Sequence, residues 1–144
     1  MIHVVCSAVI RRGDTFLMIK EFKPSAAGKW GLPGGKLEKG ESIVSGLRRE
    51  VQEETGHKVL SEKLIGVINK PKSSENNTVI KFVFRCEVGN KPTTTAEHEY
   101  DFLTLPALEK LNSQGLIRGL EIVPLLNKIA SGFEPDYSDL IQLH

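Results

Sequence analysis

Alternating hydrophobic and polar positions divide the chain into several strand-like segments. Runs rich in β-branched and aromatic side chains occur at residues 3–10, 15–20, 59–70, 78–88 and 100–105. The turn pair Gly13-Asp14 separates the first two runs, so the pattern predicts a hairpin that forms the first edge of a sheet. The polar stretch at residues 71–77 predicts a loop between the third and fourth runs.

The fourth run has two sets of side chains that point to opposite faces of the predicted strand. The more apolar set consists of Ile80, Phe82, Phe84 and Cys86. We expect this set to face the core, and the set with Lys81 and Arg85 to face away from it. Cys6 and Cys86 belong to no metal-ligand or CxxC spacing, so we expect two buried thiols.

One segment, residues 43–55, has the period of an amphipathic helix instead. Its apolar arc consists of Ile43, Val44, Leu47 and Val51. Ser42 is suited to cap the helix N-terminus, and Gly56 is suited to end the helix. The preceding Pro33-Gly34-Gly35 predicts a turn in which backbone comes close to a ligand or to the helix.

Two shorter helices are predicted towards the C-terminus. Pro106 begins a brief helix that runs to about residue 112, and Pro124 is suited to the first turn of a helix ending near residue 132. The tail at residues 133–144 has no clear pattern. Strands and helices in this order indicate an α+β fold with a mixed sheet.

Three glutamates share one face of the predicted first helix. Glu50, Glu53 and Glu54 stand at i, i+3 and i+4, and Glu54 falls inside the apolar arc. An unpaired carboxylate there would be costly, and Arg49 can offset only one charge. The remaining negative charge of the carboxylates is best accounted for by a divalent cation that prefers oxygen ligands, Mg²⁺ or Mn²⁺. The alternative is a solvated acidic face, although charge patterning alone would place the acids opposite the apolar arc.

The spacing of these positions resembles the signature of the Nudix hydrolases, which cleave nucleoside diphosphates linked to another moiety. The pattern runs Gly35, five residues, Glu41, seven residues, Arg49-Glu50-Val51, one residue, Glu53-Glu54, one residue, Gly56. His57 departs from it, because the family usually has an aliphatic residue there, and we expect Val59 to take the apolar role. Gly46 stands where the family often has alanine, so we expect close packing around it.

The resemblance implies an α+β fold, a Nudix-like α/β/α sandwich with a mixed β-sheet. It also implies metal ligands for Mg²⁺ or Mn²⁺: Glu50, Glu53, Glu54, the carbonyl oxygen of Gly35, and Glu97 in the loop before the last strand. For Glu97, a solvated loop charge is the alternative.

The resemblance implies three catalytic residues as well. Either Glu50 or Glu53 acts on the attacking water, and which of them is the base stays open. Arg49 orients the glutamates.

Four further residues are candidates for binding the substrate. Lys36 is a point charge for phosphate, and Trp30, Phe22 and Phe102 each offer a face on which a base can stack. The alternatives are a solvated lysine and, for Trp30, a core position.

Composition narrows the class of protein. The chain has 144 residues, of which 40% are hydrophobic, so we expect a single Nudix domain over residues 1–144. A net charge of +1 gives no case for a nucleic-acid or membrane partner. The chain has neither a membrane-spanning apolar run nor a secretory signal, so we expect a cytoplasmic protein. The oligomeric state stays open, a homo-oligomer included.

The resemblance implies Mg²⁺-dependent hydrolysis of the diphosphate linkage in a nucleoside diphosphate derivative. The compact chain favours nucleoside triphosphates, oxidised ones included, which would yield monophosphate and pyrophosphate. Relatives that cleave ADP-ribose often have a proline about fifteen residues past the signature, and Pro71 stands fourteen residues after His57. By this resemblance ADP-ribose or another nucleotide sugar is the alternative, and we rank triphosphates only slightly ahead. A catalytically silent nucleotide-binding or regulatory module is the alternative from another class. Such modules usually have a damaged glutamate set, and this set is intact.

Overall fold

The computed structural model describes residues 1–72, 76–133 and 135–137. The strands in these ranges are β1 (Ile2–Val9), β2 (Arg11–Arg12), β3 (Thr15–Lys20), β4 (Trp30–Gly31), β5 (Gly34–Lys36), β6 (Val59–Lys72), β7 (Asn77–Val88) and β8 (Glu99–Thr104). The helices are α1 (Ile43–Thr55), α2 (Leu105–Ser113) and α3 (Ile122–Ala130). The predicted helices and the three later strands are confirmed with boundaries that shift by about two residues at most.

The strands form two sheets that lie between helices. The first has the order β5-β1-β7-β6, in which β1 pairs parallel with β7 and antiparallel with β5. In the second, β3 pairs antiparallel with β2, β4 and β8. A mixed sheet with helices on both sides confirms the predicted α+β sandwich.

The predicted pairing of the first two runs was wrong. Only Arg11–Arg12 forms a hairpin with the start of β3, while β1 lies inside the other sheet between β5 and β7. The last four residues of β1 are buried on both faces, and a strand of that kind takes an interior position.

Two other local predictions need correction. Gly34 and Gly35 belong to strand β5, which pairs with β1, although a turn was expected there. Pro71, expected in a loop, lies in β6 and faces Thr78 of β7. The middle of the predicted loop, residues 73–75, lies outside the described residues, as does most of the tail.

Two hydrophobic clusters fill the space on either side of the sheets. Leu47 and Val51 of α1 are fully buried in a cluster with Cys6, Phe84 and Cys86. The other cluster joins α2 and α3 to the opposite faces of the strands. Both cysteines are free and buried, as predicted. No helix in the described part of the chain is long and apolar enough to cross a membrane.

Strand β7 is covered on both faces, so the expectation of one core face was only half right. Phe84 and Cys86 are buried as predicted, but Val83 and Lys81, on the other face, are buried as well. Helices α2 and α3 cover that second face and leave room for a cleft beside Lys81. The alternating pattern of the sequence predicted that Lys81 faces away from the core, but the sandwich buries it.

Candidate active site

Helix α1 presents its glutamates at the edge of the sheet. The Ser42 hydroxyl accepts a hydrogen bond from the Ser45 amide at 3.1 Å, and Gly56 ends the helix at φ 73°, so both predicted caps are confirmed. With Leu47 and Val51 in the core, the neighbouring glutamates reach the rim of that core. Side-chain exposure rises from 9% for Glu54 to 17% for Glu50 and 43% for Glu53.

The glycines of β5 allow this edge to approach α1 closely. The amide of Gly34 donates a hydrogen bond to Glu54 Oε1 at 2.6 Å. Gly34 has φ 154°, and a Cβ there would overlap the carbonyl oxygen of Cys6. A Cβ on Gly35 would lie 2.6 Å from the carboxylate carbon of Glu50. A side chain at Gly34 would therefore disturb the pairing of β5 with β1, and a side chain at Gly35 would displace the carboxylate of Glu50.

Arg49 holds the acidic residues in place. Its Nε and Nη2 donate to the two carboxylate oxygens of Glu41 at 2.7 and 3.0 Å, a bidentate contact. Its Nη1 donates to Glu50 at 3.0 Å and to Glu53 at 3.2 Å. Arg49 lowers the pKa of Glu41 to about 2, chiefly through the side-chain hydrogen bond. One guanidinium therefore fixes three carboxylates.

Gly46 makes room for this network. A Cβ at Gly46 would overlap the side chain of Leu37 and lie 2.8 Å from Glu41 Oε1. The close packing expected at this glycine is confirmed. Glycine at position 46 lowers the helix propensity of α1, but it leaves the space in which Glu41 contacts Arg49.

Two of the glutamates have their carboxyl groups in a partly dehydrated setting that disfavours the ionised form. Burial raises the pKa of Glu54 to about 8, against the opposing effect of the Gly34 hydrogen bond. Burial also raises the pKa of Glu50, and the hydrogen bond from Arg49 opposes this shift. A nearby cation would favour the ionised form of both carboxylates.

The loop before β8 covers the C-terminal end of α1. The amide of Glu97 donates to the carbonyl oxygen of Glu53 at 2.9 Å, and the Glu97 side chain is exposed. The His98 ring lies 3.5 Å from Glu54 Oε2, and its other ring nitrogen lies 3.2 Å from the carbonyl oxygen of Lys20. The same ring stacks on Phe22 with centroids 4.6 Å apart. Loop and helix thus form one site.

A cleft of about 680 Å³ opens beside these carboxylates, a volume suited to a nucleotide. Its first part, which we call the carboxylate end, is formed by Gly34, Gly35, Arg49, Glu50, Glu54 and Glu97. Its second part, the sheet part, is formed by side chains of β1 and β7, namely Val5, Ser7, Val79 and Lys81. Two other segments also line the cleft. Glu21 and Phe22 follow β3, Arg118 precedes α3, and Ile122 begins α3.

The structure brings most of the predicted site residues together. Arg49, Gly35, Glu50, Glu54, Glu97, Lys36 and Phe22 all line the cleft. Glu53 lines an adjoining depression with Arg49 and Glu97.

Two predicted stacking residues lie elsewhere. Trp30 packs against the α2/α3 cluster and is absent from the cleft lining. This position agrees with the alternative prediction that Trp30 is a core residue. Phe102 is also absent from the lining: it packs against the α1 cluster, with the Arg12 guanidinium 4.7 Å above its ring. Their positions do not support a role in stacking.

His57, which departs from the signature, is a core residue. Its side chain is 1% exposed, its Nδ1 lies 2.9 Å from the carbonyl oxygen of Thr55, and its ring packs edge-on against Tyr100. Burial lowers the pKa of His57. Val59 is also buried, at 1% exposure, so the two residues share the apolar position.

Several polar residues of the cleft were not predicted from the sequence. Glu21 is buried and pairs with Arg118, while Lys81 pairs with Glu121 at 3.2 Å. His98 was also missed. These contacts join residues far apart in the chain, so no local spacing signals them.

The acidic residues fit a hard divalent cation by the chemistry of their donors. Glu50, Glu53 and Glu54 supply carboxylate oxygens at one edge, two of them in a setting that favours a nearby positive charge. Among the residues that the structure describes, no three acidic, histidine or cysteine side chains converge as a ready metal cage. Arg49 lies between Glu50 and Glu53 and contacts both.

Comparison with known proteins agrees with this arrangement. The family model described as NUDIX domain matches residues 1–125. The chain belongs to the Nudix hydrolase family. The whole chain also superposes on a Nudix hydrolase from Nitrosomonas europaea, with a TM-score of 0.79, 26% identity and 98% of that chain covered. A MutT protein from Methanosarcina mazei Go1 is 28% identical with a TM-score of 0.68, over 90% of this chain and 95% of that one.

Sequence relatives of this Nudix chain carry different names. An ADP-ribose pyrophosphatase of Methanocaldococcus jannaschii is 32% identical over 110 residues, which are 75% of this chain and 65% of that protein. A human 8-oxo-dGDP phosphatase is 38% identical over 82 residues, 57% of this chain and 24% of that protein. The chain therefore spans less than two thirds of the length of either relative.

Proposed function

We propose that this Nudix protein hydrolyses the diphosphate linkage of a nucleoside diphosphate derivative with Mg²⁺ or Mn²⁺. The observation that carries the proposal is the intact set of Glu50, Glu53 and Glu54 at the rim of a cleft of nucleotide size. Arg49 fixes the first two carboxylates, and the Gly34 amide fixes the third. A catalytically silent binding module has no need for three acidic side chains gathered at one edge of a cleft.

In this proposal Glu50, Glu53 and Glu54 hold the metal, and the carbonyl oxygen of Gly35 and the exposed Glu97 are further ligands. The metal supplies neutralisation of the phosphate oxygens and a lowered pKa of a bound water. Hydrolysis also needs a group that accepts the proton of the attacking water. Glu50 and Glu53 are the candidates for that base.

The other residues of the site position these groups. Arg49 sets the side chains of Glu50 and Glu53 through a guanidinium that Glu41 itself holds at two points. Gly34 fixes Glu54 through its amide. Lys36, at the cleft and next to Gly35, provides a point charge for a phosphate oxygen. Phe22, 65% exposed and with its ring against that of His98, offers a further face on which a base can stack.

For the substrate, we rank nucleoside triphosphates, oxidised ones included, slightly ahead of ADP-ribose. The human relative is named as an 8-oxo-dGDP phosphatase, which supports an oxidised guanine base and names a diphosphate, not a triphosphate. The Methanocaldococcus jannaschii relative, matched over more of the chain, is named for ADP-ribose and supports the second. Both substrates contain a diphosphate attached to a nucleoside.

A panel of substrates with product identification tests the proposal. The protein is incubated with Mg²⁺ and GTP, 8-oxo-dGTP, 8-oxo-dGDP, ATP or ADP-ribose, and the products are separated by chromatography. Monophosphate with pyrophosphate from a triphosphate supports the first choice, and AMP with ribose phosphate from ADP-ribose supports the second. Tight binding of one nucleotide without cleavage of any would replace the hydrolase with a nucleotide-binding module.

A further inference from the structure

The sheet part of the cleft contains a lysine in an unusual position. Lys81 lies in β7 beside Val5 of β1, and only 9% of the residue is exposed. Lysine is almost never buried without a partner, because removing an ammonium group from water is costly. Burial lowers the pKa of Lys81, and Glu121 opposes that shift. The chain thus keeps a charged group where an apolar residue would be expected to pack better.

The partners of Lys81 leave part of its hydrogen-bonding capacity for a ligand. Its ammonium group donates to Glu121 Oε1 at 3.2 Å, and Lys70 also pairs with Glu121. An ammonium group has three N–H donors and no acceptor. Within the described residues, the structure directs one of those donors to Glu121, and Lys81 lines the cleft.

Apolar and charged side chains both lie around Lys81. Val5 and Val79 share its face of the sheet, and Leu32 and Ile122 line the same cleft. The charged groups that act on it are Glu121, Lys70 and Arg118. A slot with apolar walls and a few fixed polar groups is typical of sites that bind a small molecule such as a heteroaromatic ring. The carboxylate end of the same cleft is where the diphosphate would be cleaved.

We propose that Lys81 is a specificity-determining residue that donates a hydrogen bond to a carbonyl oxygen of the nucleobase, so that the protein prefers carbonyl-bearing bases such as guanine to adenine. This inference rests on the proposed function, because it places the base of a nucleotide whose diphosphate lies at the carboxylate end. Adenine carries an amino group where guanine carries its carbonyl oxygen. Two donors would then face each other, and neither would be satisfied.

A phosphate group is the competing occupant of the slot. Lys81 shares the single carboxylate of Glu121 with Lys70, while Arg118 pairs with Glu21, so one positive charge stays unbalanced. The flanking valines offer no donor to an anion, whereas a neutral carbonyl oxygen needs a single donor. A phosphate contact would lower kcat/KM for GTP and ATP alike in Lys81→Met, and that result would overturn the base contact.

The test compares two nucleotides that differ in the base alone. We measure kcat and KM for GTP and ATP with Mg²⁺ in the wild type, Lys81→Met and Lys63→Met, the last a control because Lys63 lies on β6 outside the cleft lining. The wild type and the control should favour GTP in kcat/KM by about tenfold or more, the usual effect of one hydrogen bond to a charged group. Lys81→Met should bring the ratio within about threefold, mainly by raising the KM for GTP.

Lys81→Met should fold, because Glu121 keeps Lys70 as a partner. If circular dichroism shows that it does not, Lys81→Gln replaces it. Glutamine offers both a donor and an acceptor, so this variant should admit adenine and lower the ratio as well. UTP and dTTP carry the carbonyl oxygen on a smaller ring. Their kcat/KM values show whether the slot recognises the carbonyl oxygen alone or the purine ring as well.

The inference and the proposed function fail in different ways. Hydrolysis with no preference for GTP over ATP in the wild type, or a preference that Lys81→Met leaves intact, overturns the inference and keeps the hydrolase. Calorimetric binding of GMP and AMP covers the case in which no nucleotide is cleaved. A preference for GMP that only the Lys81 variants lose would then support the base contact and refute the hydrolase.

Discussion

Gly35→Ala should disable catalysis with little effect on the fold. A Cβ at this position would lie 2.6 Å from Cδ and Oε1 of Glu50 and 2.8 Å from Oε2. Non-bonded carbon atoms rest about 3.5 Å apart or more, so the carboxylate must move by about 1 Å. This movement would also disturb the hydrogen bond that Glu50 accepts from Arg49.

The expected loss is large for catalysis and small for stability. A displacement of about 1 Å in a catalytic group can lower the rate by about 10²-fold. Gly35 does not have a positive φ, so alanine fits the backbone, and its restriction of the unfolded chain stabilises by about 0.4–1 kcal/mol. This gain opposes the cost of moving one side chain at the rim of the core.

The assay measures kcat at saturating Mg²⁺ and the unfolding free energy in urea. Gly89→Ala is the matched control, because a Cβ there has its nearest contact at 3.8 Å and the φ is also ordinary. We expect kcat to fall about 10²-fold in Gly35→Ala and to stay unchanged in the control. A Gly35→Ala protein with kcat within threefold of the wild type would show that the sheet edge does not set the position of Glu50.

Other predictions concern charge, geometry and pH. Glu53→Gln keeps the side-chain size and should lower kcat by about 10²-fold or more, and steady-state kinetics within threefold of the wild type would refute its role. Arg49→Lys cannot contact Glu41 at two points and should lower kcat without unfolding the chain, whereas full activity would mean that a point charge suffices. Because burial lowers the pKa of His57, its contribution to stability is complete above about pH 6.5 and is lost as pH falls towards the lowered value. The variant His57→Val has no such titration, so the Tm of the wild type minus the Tm of the variant should fall between pH 7.5 and pH 5. The titration of Glu54 is common to both proteins and cancels in this difference. Parallel Tm curves would contradict the account.

The features that the sequence predicts well are local ones. Helix α1, its Ser42 cap and its Gly56 terminus depend on residues within a few positions of one another. The same holds for the placement of the glutamates, since spacing alone puts Glu50, Glu53 and Glu54 on one face. The buried position of Glu54 follows from the apolar arc, and the structure supplies its partner, the amide of Gly34.

The features that the sequence does not predict depend on pairing between distant segments. The alternation in β1 is compatible with an edge or an interior strand, and only its pairing with β5 and β7 decides between them. Lys81 looks like a solvent-facing residue until α3 and Glu121 cover its face of the sheet. Trp30 and Phe102 had the right chemistry for stacking, but their direction depends on the sheet in which they lie.

Turnover in the presence of a chelator tests the central claim most directly. The wild-type protein, with the nucleotide that it cleaves fastest, is assayed in excess EDTA and again after Mg²⁺ is added beyond the EDTA. If carboxylates of α1 act through a divalent cation, turnover should fall to background in EDTA and return with Mg²⁺. Undiminished turnover in excess EDTA would contradict the account, because Glu50, Glu53 and Glu54 would then have no metal to hold.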